Sequence, residues 1–70
     1  MNKYLIIIKD LGRKKVNMTF NGILEDDVID VMLNFCKKHL MSDEIYFMEN
    51  GDIVAGWRVV GKFKLEKQFS

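Results

Sequence analysis

Apolar and polar residues alternate along most of this chain, which is typical of β-strands. Val16, Met18 and Phe20 alternate with polar residues, so they predict a strand with one buried face. The segments 3–9 and 45–48 instead carry apolar side chains at almost every position. Strands of that kind are usually covered on both faces. The sequence therefore contains more apolar strand surface than one small layer of helix can cover.

Glycine-containing turns divide these strands. Positions 10–13, which include a glycine, predict a hairpin loop after the first strand. Asn50-Gly51 predicts a two-residue hairpin turn in which Met48 faces Ile53. From Ile53 to position 65 every odd position is apolar or glycine. That pattern predicts one long strand, or two strands joined at a bend near Gly61.

Positions 25–41 predict the only helix. Acidic residues gather at its start and Lys37, Lys38 and His39 lie at its end, which matches the helix dipole. Its apolar arc is wide, because eight apolar side chains fill the face opposite the charged one. The element order is ββαββ. We therefore expect an α+β fold, a single domain over residues 1–70, with an antiparallel sheet and one helix packed on one face.

Strand alternation assigns side chains to two sheet faces. The face expected to meet the helix contains Leu5, Ile7, Val16, Met18, Phe20, Tyr46, Met48, Ile53, Ala55, Trp57 and Val59. The opposite face is expected to show Tyr4, Ile6, Ile8, Ile45, Phe47, Val54 and Val60. Since monomers rarely expose so large an apolar patch, we interpret this second set as a surface covered by a partner protein or by a second copy. The alternative is that the C-terminal strand, or a curling of the sheet, covers it.

Composition narrows the class of protein. The chain has 70 residues, a net charge of +1 and 49% apolar residues, which is typical of one small globular domain. Cys36 is its only cysteine, which favours a reducing compartment. The apolar run near the start ends at Lys9-Asp10, so we expect no secretory signal and no membrane segment. A cytoplasmic protein is therefore expected.

Residues that carry catalytic or metal chemistry are few and scattered. His39 and Cys36 share one helix face, but no second cysteine or histidine is present to complete a zinc site. Asp26, Asp27 and Asp30 fit the helix dipole without any further role. We therefore predict no catalytic site, no metal and no cofactor, and a protein that is not an enzyme.

Basic residues around the first hairpin and along the last strand favour a second interpretation. A groove that follows phosphates and stacks bases on aromatic rings, here Tyr4 or Phe69, binds single-stranded nucleic acid. The candidate contacts are Lys9, Arg13, Lys14, Lys15, Lys62, Lys64 and Lys67. Ten acidic residues oppose eleven basic ones, and edge lysines also guard against aggregation. Nucleic acid is therefore the less favoured partner.

The start of the chain, Met1-Asn2-Lys3-Tyr4-Leu5-Ile6-Ile7-Ile8, is rich in Lys, Ile and Asn, and compact hairpins follow it. In this general character the whole chain resembles the small inhibitor proteins of bacteriophages and mobile elements, anti-CRISPR proteins among them. The resemblance implies stoichiometric occlusion of a larger host or defence protein in the host cytoplasm. Such proteins share no common motif, so it assigns no residue a role. A homodimeric structural or regulatory protein is the remaining alternative.

Overall fold

Five strands form one antiparallel sheet, and one α-helix packs on a single face of it. The computed structural model describes residues 2–68. The elements are β1 (Lys3–Leu11), β2 (Val16–Leu24), a 3-10 turn (Glu25–Asp27), α1 (Val28–Leu40), β3 (Ile45–Phe47), β4 (Asp52–Ala55) and β5 (Arg58–Gln68). The strand order is β2-β1-β5-β4-β3, so the first and last strands are neighbours inside the sheet. The predicted α+β class and antiparallel sheet are confirmed.

The residues after position 51 form two strands, which was one of the two expected alternatives, but the turn between them does not lie near Gly61. Ala55 pairs with Arg58, so Gly56 and Trp57 form a two-residue hairpin turn between β4 and β5. Gly56 has a φ of 63°, a conformation that glycine adopts without steric cost. The element order is therefore ββαβββ, and the chain turns at Gly56-Trp57. The region near Gly61 is a bulge inside β5.

The helix follows the predicted charge order. Glu25, Asp26 and Asp27 form the 3-10 turn that leads into it, where negative charge is favourable. At the other end Met41 adopts a left-handed conformation with a φ of 52°, and its N–H donates to the carbonyl oxygen of Lys37 at 3.1 Å. This bond ends the helix at Leu40. The predicted span of 25–41 is confirmed within the accuracy of helix ends.

The core lies between the helix and the sheet. Its buried side chains come from β1, α1, β3 and β4, and they are Ile6, Ile8, Leu11, Val28, Met32, Cys36, Ile45 and Ile53. Partly buried Phe20, Phe35, Phe47 and Phe63 close its edges in two pairs of perpendicular rings. No side-chain nitrogen or oxygen among the described residues is buried without a hydrogen-bond partner.

The face assignment of β1 was wrong. Ile6 and Ile8 are 0% exposed and lie under the helix, whereas Leu5 and Ile7 point to the opposite side and are half-buried. Both sets are apolar, so the centre of the strand did not distinguish them. The ends of the strand do, because Lys3 and Lys9 share the alternation of Leu5 and Ile7. The set that ends in lysines faces solvent.

The face assignment was also wrong for β3 and for the start of β5, because two turns differ from expectation, whereas Ile53 of β4 is buried as expected. Phe47, and not Met48, pairs with Ile53, so the β3–β4 register shifts by one residue. A shift of one residue turns every side chain of a strand to the other face. Tyr46, Met48, Trp57 and Val59 are consequently exposed instead of buried.

The apolar surface that the sequence analysis assigned to a partner is therefore mostly core. Ile6, Ile8 and Ile45 are buried, and Tyr4, Phe47 and Val60 pack against them, all within one chain. Only Val54 lies outside this cluster; it is half-buried and pairs with Tyr46 and Val59. The second sheet face, which we call the open face, instead carries Leu5 and Ile7 among charged residues. Their cross-strand partners are Glu66 and Lys64, which form an ion pair at 3.2 Å.

A β-bulge shapes the outer strand β2. The β1–β2 register shifts between Tyr4 and Ile6, where Gly22 has a φ of 70°. The side-chain amide of Gln68 secures the bulge from β5: its Nε2 donates to Oδ1 of Asn21 at 2.8 Å, and its Oε1 accepts from the Gly22 N–H at 3.1 Å. The amide thus connects the end of β5 with β2 across the intervening strand.

Two substitutions on the helix test the position of the core. Met32 is 0% exposed and Ile29 is 54% exposed. We expect Met32→Ala to lower the free energy of unfolding by about 2–5 kcal/mol, because it leaves a cavity. Ile29→Ala removes a side chain that is mostly in water and should cost less than about 1 kcal/mol. Urea unfolding followed by circular dichroism measures both, and equal losses would contradict the described packing.

Candidate functional site

An open groove lies where the end of the helix meets two hairpins. Its three walls are the β1–β2 loop at 10–16, the helix end at 38–41 and the start of β5 at 58–62. Its volume is about 950 Å³. It is larger than the concavity of about 250 Å³ beside Ile7 and Phe63. We call it the basic groove for the residues that line it.

The lining of the basic groove is strongly cationic. It contains six of the eleven Lys and Arg residues of the chain and His39, against one of the ten acidic residues, Asp10. The six are Arg13, Lys14, Lys15, Lys38, Arg58 and Lys62. Within residues 2–68 only Lys62 of this set forms an ion pair. The groove is thus a concentrated positive surface on a chain whose net charge is only +1.

Acidic residues gather at the other end of the molecule. Glu25, Asp26 and Asp27 form the turn before the helix and Asp30 lies in its first turn, whereas Lys38 and His39 lie in its last turn. A helix of thirteen residues is about 20 Å long. The two charge clusters are therefore separated by roughly two Debye lengths at physiological salt. The helix therefore runs from an acidic turn to the basic groove.

Two glycines allow the chain to fold into the groove. Gly61 is buried, and a Cβ placed on it would lie 3.2 Å from Cα of Leu11 and 3.3 Å from the carbonyl oxygen of Lys9. The close approach of β1 to the bulge in β5 therefore requires a residue without a side chain. Gly12, with a φ of 71°, donates its N–H to the carbonyl oxygen of Val60 at 2.8 Å. This bond fixes the basic loop against β5.

An ion pair orients Lys62, one of the lysines that line the groove. Nζ of Lys62 donates to Oδ1 of Asp52 at 2.7 Å. This hydrogen bond holds the pKa of the Asp52 carboxyl below its ordinary value, and a hydrogen bond from Asn50 acts in the same direction. Lys62 also lies directly opposite Lys9 on β1, an arrangement of like charges that Asp52 offsets.

A fully exposed tryptophan stands beside the groove. Trp57 is 102% exposed at the tip of the β4–β5 turn, next to Arg58 in the groove lining. Met41, which caps the helix and also lines the groove, is 93% exposed. On the open face, Tyr46 and Val59 are more than half exposed and both flank Val54 across the strands. This end of the molecule therefore combines cations with large apolar side chains.

The basic residues predicted as nucleic-acid contacts fall into three places. Arg13, Lys14, Lys15 and Lys62 line the basic groove. Lys9 and Lys64 border a smaller concavity on the open face, together with Lys62. Lys67 lies opposite Tyr4 at the far end of β5, away from the groove. Phe69 lies outside the described residues. The prediction thus identified one wall of the groove and placed the stacking aromatic elsewhere.

Sequence reasoning missed Lys38, Met41, Trp57 and Arg58 as parts of this site. Their contribution depends on the β4–β5 turn, which the odd-position pattern concealed. A signal for that turn is present, because Gly56 is a residue that often begins a two-residue hairpin turn. Lys37, Lys38 and His39 were attributed to the helix dipole alone in the sequence analysis. That the end of the helix lies beside the first loop follows only from the tertiary packing.

The residues considered for chemistry lie apart from one another. Burial raises the pKa of the Cys36 thiol to about 11. His39 is exposed, and its ring stacks on Phe35 with centroids 4.3 Å apart. Across residues 2–68, no group of three or more His, Cys, Asp and Glu side chains is arranged to hold a metal ion. These residues therefore contribute to side-chain packing and to the surface charge.

Comparisons with protein-family models, with curated proteins and with solved structures found no match. In the described part of the chain, no helix has the length and apolar character that crossing a membrane requires. The site is thus interpreted from its own geometry.

Cys36 gives a direct test of the helix packing and of its pH dependence. At about pH 8 its thiol is neutral, so iodoacetamide should modify the folded protein far more slowly than the denatured protein. Because folding raises the thiol pKa, stability from the neutral thiol is complete below the unfolded value of 9.0 and is lost as pH rises towards 11. Mass spectrometry of timed reactions measures the rate; equal rates for both forms would contradict the burial.

Proposed function

We propose that this protein is a non-enzymatic binding module that attaches to an acidic surface of a larger protein. Trp57 is the apolar anchor, and the basic groove supplies the charge. The observation that carries the proposal is the complete exposure of Trp57 at the tip of a two-residue turn.

The position of Trp57 has no explanation in the local fold. Gly, Asn, Asp, Pro and Ser dominate tight turns because each favours the required backbone. Tryptophan offers no such advantage, and a side chain that is fully in water adds nothing to the core. Tryptophan is also the residue type most enriched among interface positions whose truncation costs more than about 2 kcal/mol. A binding role accounts for its presence.

The neighbours of Trp57 are typical of a protein interface. Interface cores are enriched in Trp, Tyr, Met and Arg. Tyr46, Met41 and Arg58 supply the other three at this end of the molecule, and all are exposed. The hairpin that carries Trp57 is hydrogen-bonded, with the Gly56 N–H also donating to the carbonyl oxygen of Glu44 at 3.1 Å. A turn whose backbone is already hydrogen-bonded loses little backbone freedom when it binds.

Charge selects the kind of partner. The groove beside Trp57 presents six cationic side chains and one carboxylate. Complementary charge accelerates association and excludes partners of the wrong sign. An acidic surface with an apolar pocket is therefore the complementary target.

The resemblance to phage-encoded inhibitors extends this proposal. It implies that the partner is a host or defence protein and that binding blocks an acidic functional surface by stoichiometric occlusion. A chain of 70 residues is sufficient for such a role, because occlusion requires a surface and no catalytic apparatus.

Crosslinking from position 57 tests the anchor. A photoreactive phenylalanine analogue replaces Trp57 in bacterial cells, and the same analogue at exposed Ile29 on the helix is the control. We expect one protein to be captured from position 57 and not from position 29. Once purified, that partner should bind the wild-type chain about 30-fold more tightly than Trp57→Ala, since a central tryptophan contributes about 2 kcal/mol or more.

Calorimetry with the purified partner measures the affinities. Arg58→Glu should also weaken binding, and the weakening should shrink as salt rises. Ile29→Ala is the matched control and should leave the affinity unchanged. A captured partner that binds Trp57→Ala as tightly as the wild type would contradict the proposal.

Single-stranded nucleic acid is the second candidate ligand. One specific observation favours it: a cationic groove with an exposed aromatic ring beside it is the arrangement that follows a backbone and stacks a base. The net charge of +1 argues against it, because the field of the whole molecule does not favour a polyanion such as nucleic acid.

Trp57 is the only tryptophan of the chain, so its fluorescence reports directly on this alternative. We expect a labelled oligonucleotide to bind only weakly at physiological salt, with little quenching of the tryptophan. Binding in the sub-micromolar range, lost steeply with salt and abolished by Lys14→Glu with Lys15→Glu, would place nucleic acid ahead of protein. Lys64→Glu with Lys67→Glu is the control of equal charge change outside the groove.

A further inference from the structure

The outer strand β2 is an edge without the usual protection. It is nine residues long and, in the described part of the chain, pairs only with β1. Edge strands are commonly protected by charged residues or proline, because their free N–H and C=O groups can pair with another chain. The strand reads VNMTFNGIL and contains neither. Its protective features are two irregularities of the β1–β2 ladder, one at Gly22 near its C-terminal end and one between Val16 and Met18 at its start.

Charges of opposite sign flank this neutral strand. Arg13, Lys14 and Lys15 come directly before it, and Glu25, Asp26 and Asp27 come directly after it. In a symmetric antiparallel pairing of two copies, positions equidistant from the central Phe20 face each other. The basic loop of one copy, Arg13 to Lys15, then lies at the same end of the paired strands as the acidic turn of the other. The pattern is complementary to itself, and the two-fold axis repeats every contact.

We propose that two copies of this chain associate through β2, edge to edge and antiparallel, to form one continuous ten-stranded sheet. Backbone hydrogen bonds between the two edges supply the attachment. The two sets of flanking charges fix the antiparallel direction, because a parallel pairing would bring like charges together.

The geometry of a single chain is compatible with this pairing. A two-fold axis perpendicular to the sheet keeps both helices on the same face. Phe20 lies near that axis, where its ring already packs against Phe35 at 5.5 Å, so the two cores become neighbours. The bulge at Gly22 displaces the register locally, but each flanking segment contains three like charges. A slip of one residue therefore preserves the attraction.

This inference shares Arg13, Lys14 and Lys15 with the proposed partner site but none of its other residues. Pairing through β2 directs Arg13, Lys14 and Lys15 towards the acidic turn of the second copy. Lys38, Arg58 and Trp57 belong to the other walls of the groove and to the β4–β5 turn. They stay available to a partner, so Trp57→Ala should leave self-association unchanged.

A charge-swap experiment tests the pairing. Lys14→Glu with Lys15→Glu makes both flanks of β2 mostly acidic, and Glu25→Lys with Asp26→Lys makes both mostly basic. We expect the wild-type chain to form dimers at low salt. Each double variant alone should self-associate about tenfold or more weakly, because its symmetric contacts become repulsive. An equimolar mixture of the two should form a heterodimer. Sedimentation velocity and native mass spectrometry measure all three, and circular dichroism verifies folding.

Two matched controls carry equal charge changes elsewhere. They are Lys64→Glu with Lys67→Glu on the internal strand β5, and Asp43→Lys with Glu44→Lys before β3. Both should self-associate as the wild type does. A third variant, Thr19→Lys, adds a charge to the centre of the exposed edge and should weaken the dimer without unfolding the chain.

Three results would overturn the proposal. The first is a wild-type chain that stays monomeric up to about 1 mM at low salt. The second is a dimer that persists in the double variants and in Thr19→Lys, which would place the interface elsewhere. The third is a mixture of folded double variants that does not form a heterodimer although the wild type dimerises.

Discussion

The packing of one helix on one sheet face is the contact on which this fold depends. Met32 and Cys36 of the helix and Ile6, Ile8 and Ile53 of the sheet are all fully buried. Thirteen helical residues cover only the middle of a five-stranded sheet, so phenylalanines must close the edges of the core. The helix leaves the open face uncovered, and the most exposed apolar side chains, Trp57 and Met41, lie at a turn and at the helix end. The binding surface proposed at Trp57 lies at this turn.

The sequence predicted the kinds of elements better than their faces. The helix, the first hairpin and the alternation of β2 follow from local patterns, because charge order, glycines and polar spacing are local. At the centre of β1 both faces are apolar, so the sequence did not show which of them meets the helix. Only the lysines at positions 3 and 9 distinguish the two faces. The predicted faces of β3 and of the start of β5 were wrong for a different reason. A two-residue turn at Gly56-Trp57 and a one-residue shift before Ile53 reverse the alternation, and neither is visible in a count of apolar positions.

The charge of the candidate site was also only partly predictable from the sequence. A net charge of +1 gave little reason to expect a cationic surface. The fold nevertheless brings the loop at 13–15, the end of the helix and Arg58 to one end, and it leaves the acidic turn at 25–27 at the other. Sequence order placed the basic loop and the acidic turn on either side of β2, and this arrangement is readable without a structure. The convergence of Lys38 and Arg58 with that loop depends on tertiary packing.

The central position of β1 and β5 has a consequence for how the chain folds during synthesis. Lys3 pairs with Gln68, so the two neighbouring inner strands come from opposite ends of the described chain. While the ribosome is still making β5, β1 has a neighbour on one side only, and β3 and β4 have no connection to it in the sheet. The complete sheet can therefore assemble only after β5 has left the exit tunnel. Long-range pairing of this kind slows folding and leaves strand edges open to other nascent chains in the meantime.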